Sequence, residues 1–266
     1  ERLKKQEGIP TVPKERRIRP IHIWQSAAAI LFLLLASSVY LSTVGTKAET
    51  DLLQQYIPIA EMRSLTLPDG TKVQLNSKST LLYPQEFTGD SRSVFLLGEA
   101  NFKVKPDKKR PFIVKSNDLQ ITALGTEFNV SAYPESQEIA TTLISGSIRV
   151  DYNNLTTSVI LHPNEQFAYN RNNKKYDLSN PDMDDVTAWQ RGELVLQKMT
   201  LTDIINVLER KYPYAFVYSI KNLKNDRFSF RFKDNAPLEE VMEIIVNVVG
   251  QMDYRIVEDK CYLTRI

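Results

Sequence analysis

Two histidines and one cysteine among 266 residues leave little catalytic or metal-binding chemistry open. A Cys/His zinc centre needs several imidazole or thiolate ligands, and His22, His162 and Cys261 do not supply them. A Ser-His-Asp hydrolase would have to use His162, which lies in the turn-like HPNEQ, and no G-x-S-x-G elbow accompanies it. Neither G-x-G-x-x-G nor G-x-x-x-x-G-K-[ST] occurs, so nucleotide binding has no motif behind it. The lone thiol cannot staple its own domain, and Cys261 in KCYLTRI reads as a strand residue used for packing. Net charge is +2, but residues 1–20 hold seven basic side chains against three acidic ones, leaving about −2 for the rest and no basic domain for nucleic acid.

Charge is absent altogether between Arg19 and Lys47. Residues 21–44, IHIWQSAAAILFLLLASSVYLSTV, are long enough as a helix, roughly 36 Å, to cross a hydrocarbon core of about 30 Å. The basic flank Arg2, Lys4, Lys5, Lys14, Arg16, Arg17 and Arg19 puts the N-terminus in the cytoplasm, with Glu49 and Asp51 on the far side. A cleavable signal peptide competes with a retained anchor. The long basic lead-in, the apolar length and the weak small-residue site at 46–48 favour the anchor. Residues 1–20 read as the tail of something longer, and 45–60 as a tether beyond the membrane.

From Arg63 to Tyr169, alternating apolar stretches flank turns centred on Gly70, Gly98, Gly125, Gly146 and Asn164, where a positive φ is cheap. The spacing shrinks from 28 residues to 18, so the repeat is degenerate. It predicts an all-β domain of stacked strand pairs over 61–171, either a solenoid-like roll or a sandwich. Polar NNKKYDLSNPDMDD places a linker over 172–188. Over 189–266 the pattern becomes β-α-β-β-α-β-β, a small α+β module. Thr200 caps one helix, and Pro237 and Gly250 bound the next, which starts near Asn235.

LPDGTKVQLNSKSTLLYP, LLGEANFKV, PFIV, ALGTEFNVSAY and TLISGSIRV resemble the periplasmic domain of FecR-family anti-sigma regulators. WQRGELVLQKMTLTDIINVLERKY and RFKDNAPLEEVMEII resemble the C-terminal module of the Bacteroidetes-type branch, which is similar to the short N-terminal fold of secretins and TonB-dependent receptors. HPNEQ departs from the pattern with Asn164 in place of Gly, and FSFRFKDN lacks a glycine before its aromatic. The resemblance implies a single-pass inner-membrane protein with periplasmic C-terminal domains. It would bind an extracytoplasmic-function sigma factor through a cytoplasmic region of which 1–20 is the end, and would sense the signalling domain of a TonB-dependent outer-membrane transporter. It implies no cofactor, no metal and no direct contact with nucleic acid.

A small sheet with an open edge can take a partner strand through its main chain. The candidate edges are Ala215, Phe216, Val217, Tyr218 and Ser219, and the strand Arg227–Phe232. On the second, Arg227, Ser229 and Arg231 would form a polar rim and Phe228, Phe230 and Phe232 the core side. The resemblance also raises self-cleavage at Gly125-Thr126, the threonine hydroxyl attacking the preceding carbonyl. The plain reading there is a hairpin corner with Thr126 making a local hydrogen bond. Residues 45–59, with Ala36, Ser37 and Ser38 inside the span, serve equally as a proteolysis site and as a tether. The chain is not expected to be an enzyme. Two other classes stand beside the regulator: a structural envelope module, and an envelope hydrolase using Glu99 with Glu127 as a carboxylate pair.

Overall fold

The computed structural model describes residues 20–45, 51–219, 226–233 and 236–265, without the side chains of 20–23, 26, 27 and 41–45. The chain divides into two units, Glu1–Glu49 and Thr50–Ile266. In the first, helix α1 (Pro20–Gly45) has 26 residues, and its consecutive side chains Ile30 to Leu35 are 58 to 72% exposed. Among the described residues no helix is long and apolar enough to cross a membrane. The unbroken run of described side chains in α1, 28–40, rises about 20 Å, less than a bilayer core of ~30 Å. The span expected over 21–44 runs beyond that stretch, and residues 1–19 lie outside the described residues.

In the second unit, thirteen strands make two facing sheets. One has the order β1 (Leu52–Tyr56), β4 (Thr80–Pro84), β5 (Arg92–Lys103), β6 (Phe112–Ser116), β7 (Leu119–Ala123), β10 (Ile148–Tyr152), β11 (Thr157–Leu161). The other runs β2 (Arg63–Thr66), β3 (Lys72–Leu75), β5 again, β8 (Glu127–Ala132), β9 (Glu138–Ser145), β12 (Gln166–Asn170), β13 (Tyr176–Ser179). The twelve-residue β5 belongs to both. Its first half pairs with β4 and, in parallel, with β6; its second half pairs with β3 and β8. Alternation carries Val94 and Leu96, then Ala100 and Phe102, into one shared core. There Phe102 meets Phe112 of the opposite sheet at 6.0 Å, and Tyr152 meets Phe167 at 5.3 Å.

The expected turns resolve into two kinds. Gly70 (φ 88°) closes the β2–β3 hairpin, as its LPDG sequence predicts. The other four are corners at which the chain passes from one sheet to the other. Gly98 (φ 100°) bends β5 in mid-strand, Gly125 (φ 151°) joins β7 to β8, Gly146 (φ 92°) joins β9 to β10, and Asn164 (φ 70°) joins β11 to β12. None of these is a hairpin, because the strands on either side pair elsewhere. The corners also lean on their neighbours. A Cβ at Gly98 would lie 2.5 Å from Ser79 Oγ and 2.7 Å from its Cα, and one at Gly146 would lie 2.6 Å from Thr126 Cγ2. Solenoid-like winding and a sandwich core are thus both present.

Two boundaries move. The tether expected over 45–60 contains β1, paired with β4 from Leu52↔Pro84 to Tyr56↔Thr80, and Ile57 is fully buried. The linker expected over 172–188 contains β13, paired with β12, and a short helix α2 (Met183–Thr187). Its polar composition hid the contribution of Tyr176, whose ring stacks on Phe167 at 5.1 Å.

The remaining elements follow the expected order: β14 (Leu194–Thr200), α3 (Leu201–Lys211), β15 (Ala215–Val217), β16 (Arg227–Phe232), α4 (Leu238–Val249), β17 (Met252–Val257), β18 (Lys260–Arg265). Thr200 Oγ1 accepts the Asp203 N–H at the start of α3, and Gly250 (φ 68°) ends α4 after a start at Pro237; Asn235 lies outside the described residues. A second core gathers Leu196, Ile204, Leu208, Val241, Ile245 and Cys261.

Gly98→Ala should cost about 3 kcal/mol or more of unfolding free energy, since it combines a positive φ with overlap of the new Cβ with the Ser79 backbone. Chemical denaturation of the full chain beside Gly89→Ala, where a Cβ meets nothing within 4 Å, isolates that term.

Candidate functional site at the junction of two cores

The outer face of the β2–β13 sheet is polar. It presents Glu99 from β5, Asn129 and Ser131 from β8, Thr142 from β9 and Gln166 from β12 to a cleft of about 750 Å³. The opposite wall comes from β14 and α3, through Leu194, Lys198, Met199, Val207 and Arg210. Glu99 follows the Gly98 bend, which delivers its side chain to the cleft floor. Its carboxylate accepts from Asn76 Nδ2 at 2.8 Å and Asn129 Nδ2 at 3.0 Å. Asn129 then presents its carbonyl oxygen to Trp189 Nε1 at 3.3 Å, in the 3-10 turn before β14. One carboxylate therefore sets the orientation of an amide that holds the second core against the first. Burial raises the Glu99 pKa above the usual carboxylate value, against the opposing pull of the Asn129 and Asn76 hydrogen bonds and the Arg210 charge.

Arg210 is the second tie. It is 8% exposed at the end of α3, its guanidinium lies 3.8 Å from the centre of the Tyr133 ring, and Nη1 donates to Glu135 Oε1 at 2.8 Å. Its carbonyl accepts the Ala60 N–H at 3.0 Å. Tyr133 is fixed from below by its hydroxyl, which donates to the Ser77 carbonyl at 2.9 Å. Burial, and after it the nearby Glu99 charge, pushes the Tyr133 phenol well above its usual range. Sequence patterning missed Asn76, Asn129, Tyr133, Trp189 and Arg210 as a group. They are scattered over β8, the 3-10 turn, α3 and the loops after β3 and β8, and only the A-W-Q break in pattern before β14 marked one of them.

The candidate partner residues occupy two sheets. Ala215, Phe216 and Val217 form β15, paired in parallel with β18 on one side only among the described residues. Phe216 is buried at 8% exposure, while Ala215 and Val217 are exposed and Tyr218 and Ser219 continue beyond the strand. The edge is partly blunted, since Glu209 Oε1 accepts the Phe216 N–H at 3.2 Å. On β16 the Phe230 and Phe232 side chains are core. Its polar face is engaged within the chain. Arg227 Nη1 donates to the Lys198 carbonyl at 2.7 Å, Ser229 Oγ accepts from Lys198 N at 2.9 Å, and Arg231 pairs with Asp185 at 2.8 Å and Asp184 at 3.1 Å. Arg227 and Arg231, expected as a polar rim, thus also tie β16 to β14 and α2 within the chain.

Three further expectations meet the geometry. Glu99 and Glu127 do not form a carboxylate pair: Glu99 faces Ser131 and Glu127 faces Lys103, four residues or about 13 Å apart along β5, beyond the ~5–9.5 Å of glycosidases. Glu127 is instead ion-paired with Lys103 at 3.4 Å. At Gly125-Thr126 the Thr126 hydroxyl is buried with no hydrogen-bond partner, so the expected local bond is not made, and a Cβ on Gly125 would meet Pro106 Cα at 2.9 Å. Cys261 is fully buried, its thiol pKa pushed up to about 11 by burial, and His162 sits in an exposed turn. Among the described residues no His, Cys, Asp and Glu cluster could hold a metal.

A bent-strand sandwich joined to a two-helix α+β module across a polar cleft is the class of protein this geometry defines. Residues 57–149 match the family described as FecR protein, and residues 193–263 match the one described as FecR, C-terminal. Two crystal structures assigned as an anti-sigma factor from Parabacteroides distasonis, at 1.65 and 2.50 Å resolution, are 34% identical to this chain. They superpose with TM-scores of 0.75 and 0.76, over 80 and 81% of this chain and 99 and 100% of theirs. No protein with a curated description matches. The chain belongs to the FecR family.

Because burial raises the folded Glu99 pKa above its usual carboxylate value, its share of stability is greatest below that value and is lost as pH rises through the raised pKa. Glu99→Gln should flatten this fall, which begins above the usual carboxylate range. Urea denaturation at several pH values, with a parallel slope in both proteins as the contrary result, measures it.

Proposed function

We propose that this chain is a membrane-anchored anti-sigma regulator. It relays the state of a TonB-dependent outer-membrane transporter to an extracytoplasmic-function sigma factor. The observation that carries the reading is the match of both segments, 57–149 and 193–263, to the FecR family, together with relatives assigned as anti-sigma factors. The domain division we propose is a cytoplasmic tail over 1–20, a span over 21–44, the β domain and the α+β module of 189–266. Helix α1 supports the anchor, since six consecutive apolar side chains exposed all round have no aqueous partner face. Nothing in the reading requires an enzyme: the work is binding on either side of a membrane, with the tail toward the sigma factor and Thr50–Ile266 in the periplasm.

For the transporter's signalling domain, β15 is the docking edge this reading favours over β16. Its exposed Val217 and its open main-chain side suit strand addition, whereas the polar face of β16 is occupied by its own ion pairs. A partner strand would displace the Glu209 carboxylate from the Phe216 N–H. Self-cleavage at Gly125-Thr126 remains compatible with the unbonded Thr126 hydroxyl, and intact mass of wild type beside Thr126→Ala tests it.

Val217→Asp should weaken binding of the transporter's periplasmic signalling domain at least about tenfold while leaving the melting temperature unchanged. Calorimetric titration of the full chain in nanodiscs reads this, and undiminished affinity would remove β15 from the interface. In cells, deleting 189–266 should uncouple sigma-dependent transcription from transporter ligand. Transcription that still follows the ligand would overturn the relay.

A further inference from the structure

The two hydrophobic cores share no residue: one runs from Ile57 to Tyr169 and the other from Leu194 to Leu263. What lies between them is a polar cleft, crossed by a small number of directed ties. Such junctions permit relative movement unless something locks them. The strongest lock is built from two sides. On the β-sandwich side, Arg171 Nη1 donates to the carbonyls of Tyr133, Pro134 and Ser136 at 2.8 to 2.9 Å, and Arg171 Nε lies 3.4 Å from Asp118. This shapes the 133–136 turn so that the Tyr133 ring and the Glu135 carboxylate face α3. On the other side, α3 sends Arg210 out of its own module onto that ring and carboxylate.

We propose that Arg210 is the bolt of a releasable latch: when it leaves Tyr133 and Glu135, the α+β module swings away as a unit with both cores intact. A guanidinium stacked on a buried ring and paired with a part-exposed carboxylate holds firmly while seated, and its departure uncovers Tyr133, which belongs to neither of the two core clusters. The second tie, Trp189 to Asn129, depends on the same docking and is lost with it. Arg210 is also five residues before β15, across the short 212–214 connection. Strain on β15 therefore reaches the end of α3 directly. That last route rests on the docking edge proposed above, whereas the latch itself does not and is tested without any partner.

The test uses the full chain in nanodiscs carrying Trp24→Phe, so that Trp189 is the sole tryptophan. Arg210→Ala should raise acrylamide quenching of Trp189 about twofold, and it should speed hydrogen exchange of the Ala60 amide and the 133–136 turn about tenfold, without loosening β5, β6 or α4. Glu135→Gln should do the same more weakly, and Arg210→Lys should restore part of the protection because it keeps the charge. Arg171→Ala should reproduce the release from a distance, as befits a positioning residue. Unchanged quenching and exchange in Arg210→Ala would overturn the latch. So would simultaneous loss of protection in both cores, which would make Arg210 a support of one cooperative fold.

Discussion

Two sheets that share one strand can close on a single core only if that strand turns through the space between them. β5 does so at Gly98, where the backbone takes a positive φ and lies against Ser79 too closely for any side chain. The bend places Val94 and Leu96 in the same core as Ala100 and Phe102. The corners at Gly125, Gly146 and Asn164 repeat the manoeuvre for each later strand pair.

The same bend sets the junction chemistry. Glu99 follows Gly98, and its backbone is gripped on both sides by Ser79, whose hydroxyl accepts the Glu99 N–H at 2.8 Å and lies 3.0 Å from its carbonyl. A carboxylate so placed is costly to bury, and two asparagine amides offset part of that cost. In return Asn129 is held with its oxygen toward Trp189. Arg92 plays a comparable role at the start of β5. Almost fully buried, it pairs with Asp69 at 2.7 Å and donates to the Arg110 and Lys105 carbonyls, tying the Gly70 hairpin to the strand. Such buried pairs contribute little net stability but tolerate few alternative arrangements.

Local patterning carried far. Period-two alternation located the strands from Arg63 to Tyr169, and helical spacing after Thr200 and after Pro237 located α3 and α4. It failed where the contribution was tertiary. β1 and β13 are short and mostly exposed, without the alternation that marks a half-buried strand, and each is held by pairing with β4 or β12. The glycine signals were real, but a positive φ by itself does not distinguish a hairpin from a corner between sheets. The pairing of Arg231 with Asp184 and Asp185 spans some 46 residues and has no local signature.

What the sequence by itself determined is most of the elements between Arg63 and Tyr169 and after Gly192, the five turn positions at which a positive φ was expected, the poverty of catalytic side chains and the resemblance to the FecR family. Those follow from each residue's own conformational and chemical limits. Tertiary structure alone decided that the corners stack into one sandwich, that Glu99 and Glu127 stand apart, and that Arg210 crosses from one core to the other. Each of these depends on strand register and on which faces meet, quantities set by packing between distant segments.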